Sequence, residues 1–268
     1  MAKPTKTAAH APAAAKEEPK TNTAAVQPYD WSQAESTGFE NVSQRDLGIP
    51  FLTILQSNSP QVNRADKNYA TKKIDGAQAG DIINTVTNSV VWSVDDETPL
   101  EFIPCSYERL FVEWKPRNEG GGFVKAHRDE RILGECTRDE NNKDVLKNGN
   151  LIVNTAYFYG IALIDGEKVQ AVIGFSSTQL KKARQWLQRM QSIKFDGPKG
   201  RFTPPMFSHA YGLTSVVESN ADGSWFGWKI EMVRALQDAA LISEAAQVAK
   251  LATQASQKAI AAAGDEPY

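Results

Sequence analysis

Cysteine is scarce in this chain. Its 268 residues include two, Cys105 and Cys136, and no CxxC pair. Two thiols make no disulfide framework, which points to a reducing cytoplasm. Long apolar runs are missing as well. No stretch approaches the roughly eighteen apolar residues of a spanning helix, so no membrane contact is expected. Residues 1–20 lack the continuous apolar core of a signal peptide. Histidine is limited to His10, His127 and His209, with no HxxxH spacing, which argues against a zinc site. Phosphate-binding and nucleophile signatures are missing too: there is no GxxxxGK[ST], no GxGxxG between strand and helix, and no GxSxG elbow. No catalytic residue, metal or cofactor is therefore expected, and the chain is read as a binding protein rather than an enzyme. Asp95, Asp96 and Glu97 are adjacent carboxylates, which an acid-rich turn explains best. A metal-dependent nuclease stays an alternative, because folding can bring any two carboxylates together.

The composition is ordinary for a globular protein, at 41% hydrophobic and 23% charged residues. A core of this size needs no staples. The net charge is −2, which excludes a globally basic nucleic-acid binder. The distribution is more telling than the sum. Residues 176–211 hold seven Lys or Arg (Lys181, Lys182, Arg184, Arg189, Lys194, Lys199 and Arg201) against the single acid Asp196, a local charge of +6. A basic strip on an acidic body gives a directed electrostatic surface. A solvated helix face explains the strip about equally well.

Pattern and turn chemistry divide the chain into three parts. Residues 1–40 are rich in Ala, Lys, Thr, Pro and Glu without an apolar period, and are expected to be disordered. Residues 41–234 form the folded domain. Ser43 is a candidate N-cap for a helix carrying Leu47, Ile49, Phe51, Leu52, Ile54 and Leu55, with Pro50 kinking that helix or delaying its start. From Gly80 strand signals dominate: residues 82–94, 100–103 and 108–114. Gly120, Gly121 and Gly122 form a loop, and residues 137–150 an extended polar one. Residues 155–164 and 168–175 flank Asp165-Gly166, a type I′ hairpin signal. Ser176 or Ser177 caps a helix with Leu180, Ala183, Leu187 and Met190 on one face. Residues 197–205 read as a loop. A second hairpin joins residues 211–218 to 225–233. Residues 235–268 comprise an Ala-rich stretch over 235–263, a thin-faced helix that is detached or only partly docked, followed by an acidic tip. The fold class is α+β: a mainly antiparallel OB-like β-barrel with an inserted helix, a disordered N-terminus and an Ala-rich C-terminal tail.

Binding an unpaired strand needs cations for phosphates and flat rings for bases. Three segments interleave the two. The first holds Tyr107, Arg109, Phe111, Trp114, Lys115 and Arg117. Strand alternation puts Tyr107, Arg109 and Phe111 on one side and Trp114 on the other. The second runs from Lys181 to Arg201, with Trp186, Phe195 and Phe202 among Lys182, Arg184, Arg189 and Lys199. The third is Trp225, Phe226, Gly227, Trp228 and Lys229. Any single ring is about twice as apt to be core as platform, and Trp225 and Trp228 point to opposite faces. The candidate case therefore rests on the coincidence of three segments. Asp265, Glu266, Pro267 and Tyr268 make an acidic tip that could dock on a partner's basic pocket or compete for the chain's own basic groove.

With these residues in view, the chain resembles a family of phage-encoded proteins of the replication and recombination region, described as single-stranded DNA-binding proteins. The resemblance lies in residues 46–56, 59–63, 76–87, 103–117, the Gly120 to Gly122 loop, 176–184 and 202–206, and covers roughly 45–230. It implies an OB-type barrel that coats single-stranded DNA without sequence preference in the host cytoplasm. The tip at Asp265–Tyr268 is similar to the acidic Pro-aromatic tips that recruit replication and repair proteins, though it has two acids and ends in Tyr rather than Phe. A homo-oligomer is compatible with this reading. Two alternatives stay open: a phage structural or scaffold-like protein, and a recombination protein that anneals strands.

Overall fold

One fifteen-residue strand organises the domain, and a single irregularity in it decides which side chains face which helix. The computed structural model describes residues 49–116, 119–221 and 223–263, with side chains as far as Ala252. All of them fall in one compact unit. The strands are β1 (Phe51–Ile54), β2 (Ile82–Asn84), β3 (Ser89–Trp92), β4 (Leu100–Trp114), β5 (Phe123–His127), β6 (Thr137–Arg138) and β7 (Asp144–Val145). They continue with β8 (Leu151–Ile164), β9 (Glu167–Ser176), β10 (Phe195–Gly197), β11 (Gly200–Phe202), β12 (His209–Asn220) and β13 (Gly223–Ala235). The helices are α1 (Tyr69–Lys72), α2 (Leu180–Ser192) and α3 (Ala239–Ala263).

Eleven strands form one sheet in the order β13-β12-β4-β8-β9-β1-β2-β3, with β5, β6 and β7 alongside β4 and β8; β10 and β11 pair separately. The class is α+β, mostly antiparallel strands curled into a half-barrel with few helices. A five-stranded OB barrel is smaller than this sheet, which also contains the parallel pair β1–β9. Among the described residues no helix is long and apolar enough to cross a membrane.

A bulge between Pro104 and Ser106 shifts the register of β4 against β8. One extra residue flips the alternation of everything after it. Leu100, Phe102 and, past the bulge, Tyr107 belong to the cluster that α2 covers. Ile103, Cys105 and, past the bulge, Leu110, Val112 and Trp114 face the other way. The two expected strands at 100–103 and 108–114 are thus one strand with a bulge at Cys105.

Each helix seals one face. In α2, Ala183, Trp186 and Met190 are buried. The Trp186 ring stacks on Phe158 at 4.4 Å and meets Tyr211 edge-on at 5.3 Å. Neither serine caps it; a short 3-10 turn over Ser177–Gln179 leads in, and no side chain bonds at its N-cap. On the opposite face α3 buries Leu241, Ala245, Val248 and Ala252, one stripe at helical spacing. Asp238 starts it by accepting from the Ala240 amide at 2.8 Å. Small alanines let this helix approach closely, so its first half is docked rather than detached. Cys105 lies in that interface, where burial pushes its thiol up to about 12.

The Asp165-Gly166 hairpin forms as expected, both residues having the positive φ (52° and 83°) of a type I′ turn. The second hairpin, β12–β13, also forms. Other segments differ from expectation. Residues 51–54 form a strand rather than a helix, because β2 and β9 supply partners on both sides. Residues 82–94 break at a turn into β2 and β3. The 137–150 loop contains the short pair β6–β7, and the 197–205 loop belongs partly to the hairpin β10–β11. Ser43, residues 1–40, Arg117 and Asp265 to Tyr268 lie outside the described residues.

Candidate nucleic-acid interface

Four of the six aromatic candidates belong to the interior. Phe111 (3% exposed), Trp114 (2%), Trp186 (2%) and Trp228 (5%) are core side chains. Burial of a large ring stabilises the fold far more than exposure would, and a ring whose faces are covered cannot stack on a base. Tyr107 does share a side with Arg109, and it packs edge-on against Phe158 at 5.2 Å. Arg109 stays exposed, its Nε donating to Asn154 at 2.9 Å and its guanidinium lying 5.8 Å from the Phe111 ring centre. Trp225 is half-buried.

Two basic candidates are anchored in the fold. Strand β13 is a sheet edge whose outward backbone groups need partners, and side chains supply them. Gln56 donates to the Phe226 carbonyl and accepts from its amide, both at 2.9 Å. Gln179 accepts from the Trp228 amide at 3.0 Å, and Lys182 donates to the Trp228 carbonyl at 2.5 Å. Arg189 reaches the Ile230 carbonyl at 3.5 Å. Lys182 also pairs with Glu218, which accepts from Gln179 at 2.6 Å and from the Trp225 indole at 2.9 Å. Burial alone would raise the Glu218 carboxyl; the bonds from Lys182, Gln179 and Trp225 outweigh it and hold the group below its ordinary range. Gly227 makes room for this network, since a Cβ there would lie 2.5 Å from Glu218 Oε2 and 2.6 Å from Gln179 Nε2.

The remaining cations point outward. Lys181 and Arg184 are exposed on α2 and Lys199 is exposed on the β10–β11 turn; none makes an ion pair among the described residues. Arg201 lies 3.7 Å from Asp196, with both side chains open to water, a geometry that contributes little. Lys194 donates to the Gln191 carbonyl and to Thr203. Lys115 is exposed at the end of β4, and the exposed Lys229 pairs with Glu231 at 3.1 Å.

The rings beside these cations are Phe195 and Phe202. They are cross-strand partners at the base of β10–β11, 39% and 47% exposed, with centroids 6.1 Å apart. Sequence reasoning placed them among the basics without assigning them a role. The overlooked signal was Asp196-Gly197-Pro198-Lys199-Gly200, turn residues between two aromatics. Gly200 takes φ +101°, a conformation that glycine adopts without strain. The α2 sequence LKKARQWLQRMQS has no acid, and the hairpin follows it closely in the chain.

A second feature lies at the other end of α2. A cleft of about 1000 Å³ is bounded by β1 and the turn after it, the segment Ser176 to Gln179, and the β12–β13 tip. Trp225 lines it, and the buried Trp114 and Trp228 form part of its wall. The structure thus brings three of the candidate rings to one cleft and leaves four candidate cations exposed, two on α2 and two on the β10–β11 hairpin. It does not join the β4 set, Tyr107, Arg109, Phe111 and Lys115, to either.

Elsewhere the His127 ring donates to Glu113 at 2.9 Å, and Asn150 and Asn148 donate to the same carboxylate. Burial pushes that carboxyl up, and the Asn150, His127 and Asn148 bonds more than reverse it. Among the described residues no three His, Cys, Asp or Glu side chains converge as a metal site.

The class is therefore an α+β protein built on a curled, mainly antiparallel sheet, with a helix on each face and an exposed basic hairpin carrying two rings. A model of the Pam3 phage gp34-like protein family matches residues 19–258, most of the chain, and the chain belongs to that phage family. No curated protein and no solved structure matches it.

Proposed function

We propose that the protein is a non-catalytic, sequence-independent binder of single-stranded DNA in the replication or recombination of its phage. The reading is carried by the β10–β11 hairpin. Phe195 and Phe202 expose flat surface beside Lys199 and Arg201, and the acid-free side of α2 continues the charge. Unpaired bases stack on such rings whatever their identity, and the cations neutralise the phosphates between them. A duplex hides its base faces, so a surface built on stacking favours the unpaired strand. The half-barrel then serves as an OB-like scaffold for a hairpin and a helix, and the acidic tip at Asp265 to Tyr268 serves to recruit other replication proteins.

The test is a filter-binding titration of an oligothymidylate against the full chain, with unlabelled duplex as competitor. The single strand should win at moderate salt. Phe195→Ala with Phe202→Ala should cost about 1–3 kcal/mol per base lost while leaving the thermal unfolding midpoint within a few degrees, because both rings are partly exposed. Equal affinity for duplex and single strand would refute the proposal.

A further inference from the structure

We infer that the cleft at the N-terminal end of α2 takes unpaired bases, while the backbone of the same strand runs outside it along α2; this rests on the single-strand reading above. Its volume, about 1000 Å³, is at the upper end of the range for small-molecule sites. Among the residues that line it, Lys72 alone is charged; the others are hydroxyl, amide, apolar and aromatic side chains. A phosphate moved there would lose its water with little counter-charge in return. A base is uncharged and flat, with donors and acceptors around its edge.

The lining offers groups for both parts of a base. Asn58, Gln61, Thr178 and Ser224 make no side-chain hydrogen bond among the described residues, which leaves donors and acceptors free for a base edge. Trp225 supplies a flat surface. Its indole N–H is tied at 2.9 Å to Glu218, which Lys182 and Gln179 hold in turn. A ring fixed in this way loses little freedom when a base stacks on it. At the rim, Ser177 takes φ +50°. A serine seldom adopts this left-handed backbone, and such strain gathers at binding sites. The cations begin where the cleft ends: Lys181 lies in the first turn of α2 and Arg184 in the next, both exposed. Bases in the cleft and phosphates on these two side chains suit the two chemistries of one strand.

The experiment uses the full chain and two probes of equal length, about fifteen nucleotides, within the span of known single-strand sites. One is an oligothymidylate and the other an abasic strand of the same charge. Affinities are measured for the unaltered protein, Trp225→Ala, Trp225→Phe and Phe195→Ala with Phe202→Ala. Trp225→Ala should weaken oligothymidylate binding about 5- to 150-fold, the range for one lost stacking partner, and Trp225→Phe should recover part of that. The abasic strand should bind more weakly and ignore both substitutions at Trp225. In parallel, amide shifts of the unaltered protein on adding oligothymidylate should include Asn58, Thr178 and Ser224, a readout independent of whether Trp225→Ala folds. If oligothymidylate binds, but shifts stay within 195–202 and the Trp225 variants bind normally, the cleft inference falls and the single-strand reading stands. If neither probe binds, the single-strand reading falls and takes this inference with it.

Discussion

Salt should separate the cations that meet DNA from those that hold the fold together. Four candidates remain available on the proposed surface: Lys181, Arg184, Lys199 and Arg201. Lys182 is committed to Glu218 and the Trp228 carbonyl, Arg189 to the Ile230 carbonyl, and Lys194 to Gln191 and Thr203. For a single strand the logarithmic slope of affinity against salt is about −0.7 per phosphate contact. Four contacts give a slope of about −2.8, so raising salt from 50 to 200 mM should weaken binding about 50-fold. Removing two of them, with Lys181→Ala and Arg184→Ala together, should bring the slope to about −1.4 and the loss to about 7-fold. Both side chains are exposed, so the double variant should unfold like the unaltered protein. The assay is a filter-binding titration of oligothymidylate across that salt range. A slope near zero, or a slope unchanged in the double variant, would refute the assignment.

Three further outcomes follow from the same geometry. Trp186→Ala, which removes a fully buried ring stacked at 4.4 Å on Phe158, should lower unfolding free energy in urea by about 3–5 kcal/mol, with affinity for DNA retained wherever the variant is folded. Gly227→Ala should push Glu218 and Gln179 apart and cost about 1–3 kcal/mol through their unsatisfied groups, read as a lower midpoint in thermal unfolding. Glu113 and Glu218 are both held below the ordinary glutamate value of 4.5, so their stabilisation is complete above that value and is lost as pH falls through the folded ones. Denaturation midpoints should therefore drop on acidification below about pH 4.5, and Glu113→Gln with Glu218→Gln should flatten that drop.

The elements with strong local chemistry were legible in the sequence. Asp165-Gly166 specifies its hairpin by backbone conformation alone, and α2 announces itself through Leu180, Ala183, Leu187 and Met190. What escaped depends on partners far along the chain. Residues 51–54 carry an apolar run too short to distinguish strand from helix, and the pairing with β2 and β9 decided it. The bulge at Cys105 has no signature in the local pattern, yet it determines that Tyr107 and Trp114 serve different clusters.

Of the +6 segment, Lys181, Arg184, Lys199 and Arg201 are exposed in the fold. Its aromatics divide by burial, which a sequence does not display: Trp186 went to the core and Phe195 and Phe202 to the surface. Lys182 and Arg189 read from the sequence as phosphate contacts; their bonds to the Trp228 and Ile230 carbonyls join residues 41 to 46 positions apart, which no local pattern displays.

The most direct test of the central claim is ultraviolet crosslinking of an oligothymidylate to the full chain, with the adducts mapped by mass spectrometry. The account predicts adducts within residues 195–202, at Phe195 and Phe202, that excess duplex does not remove. Adducts confined to other surfaces, or abolished by duplex at equal concentration, would contradict it.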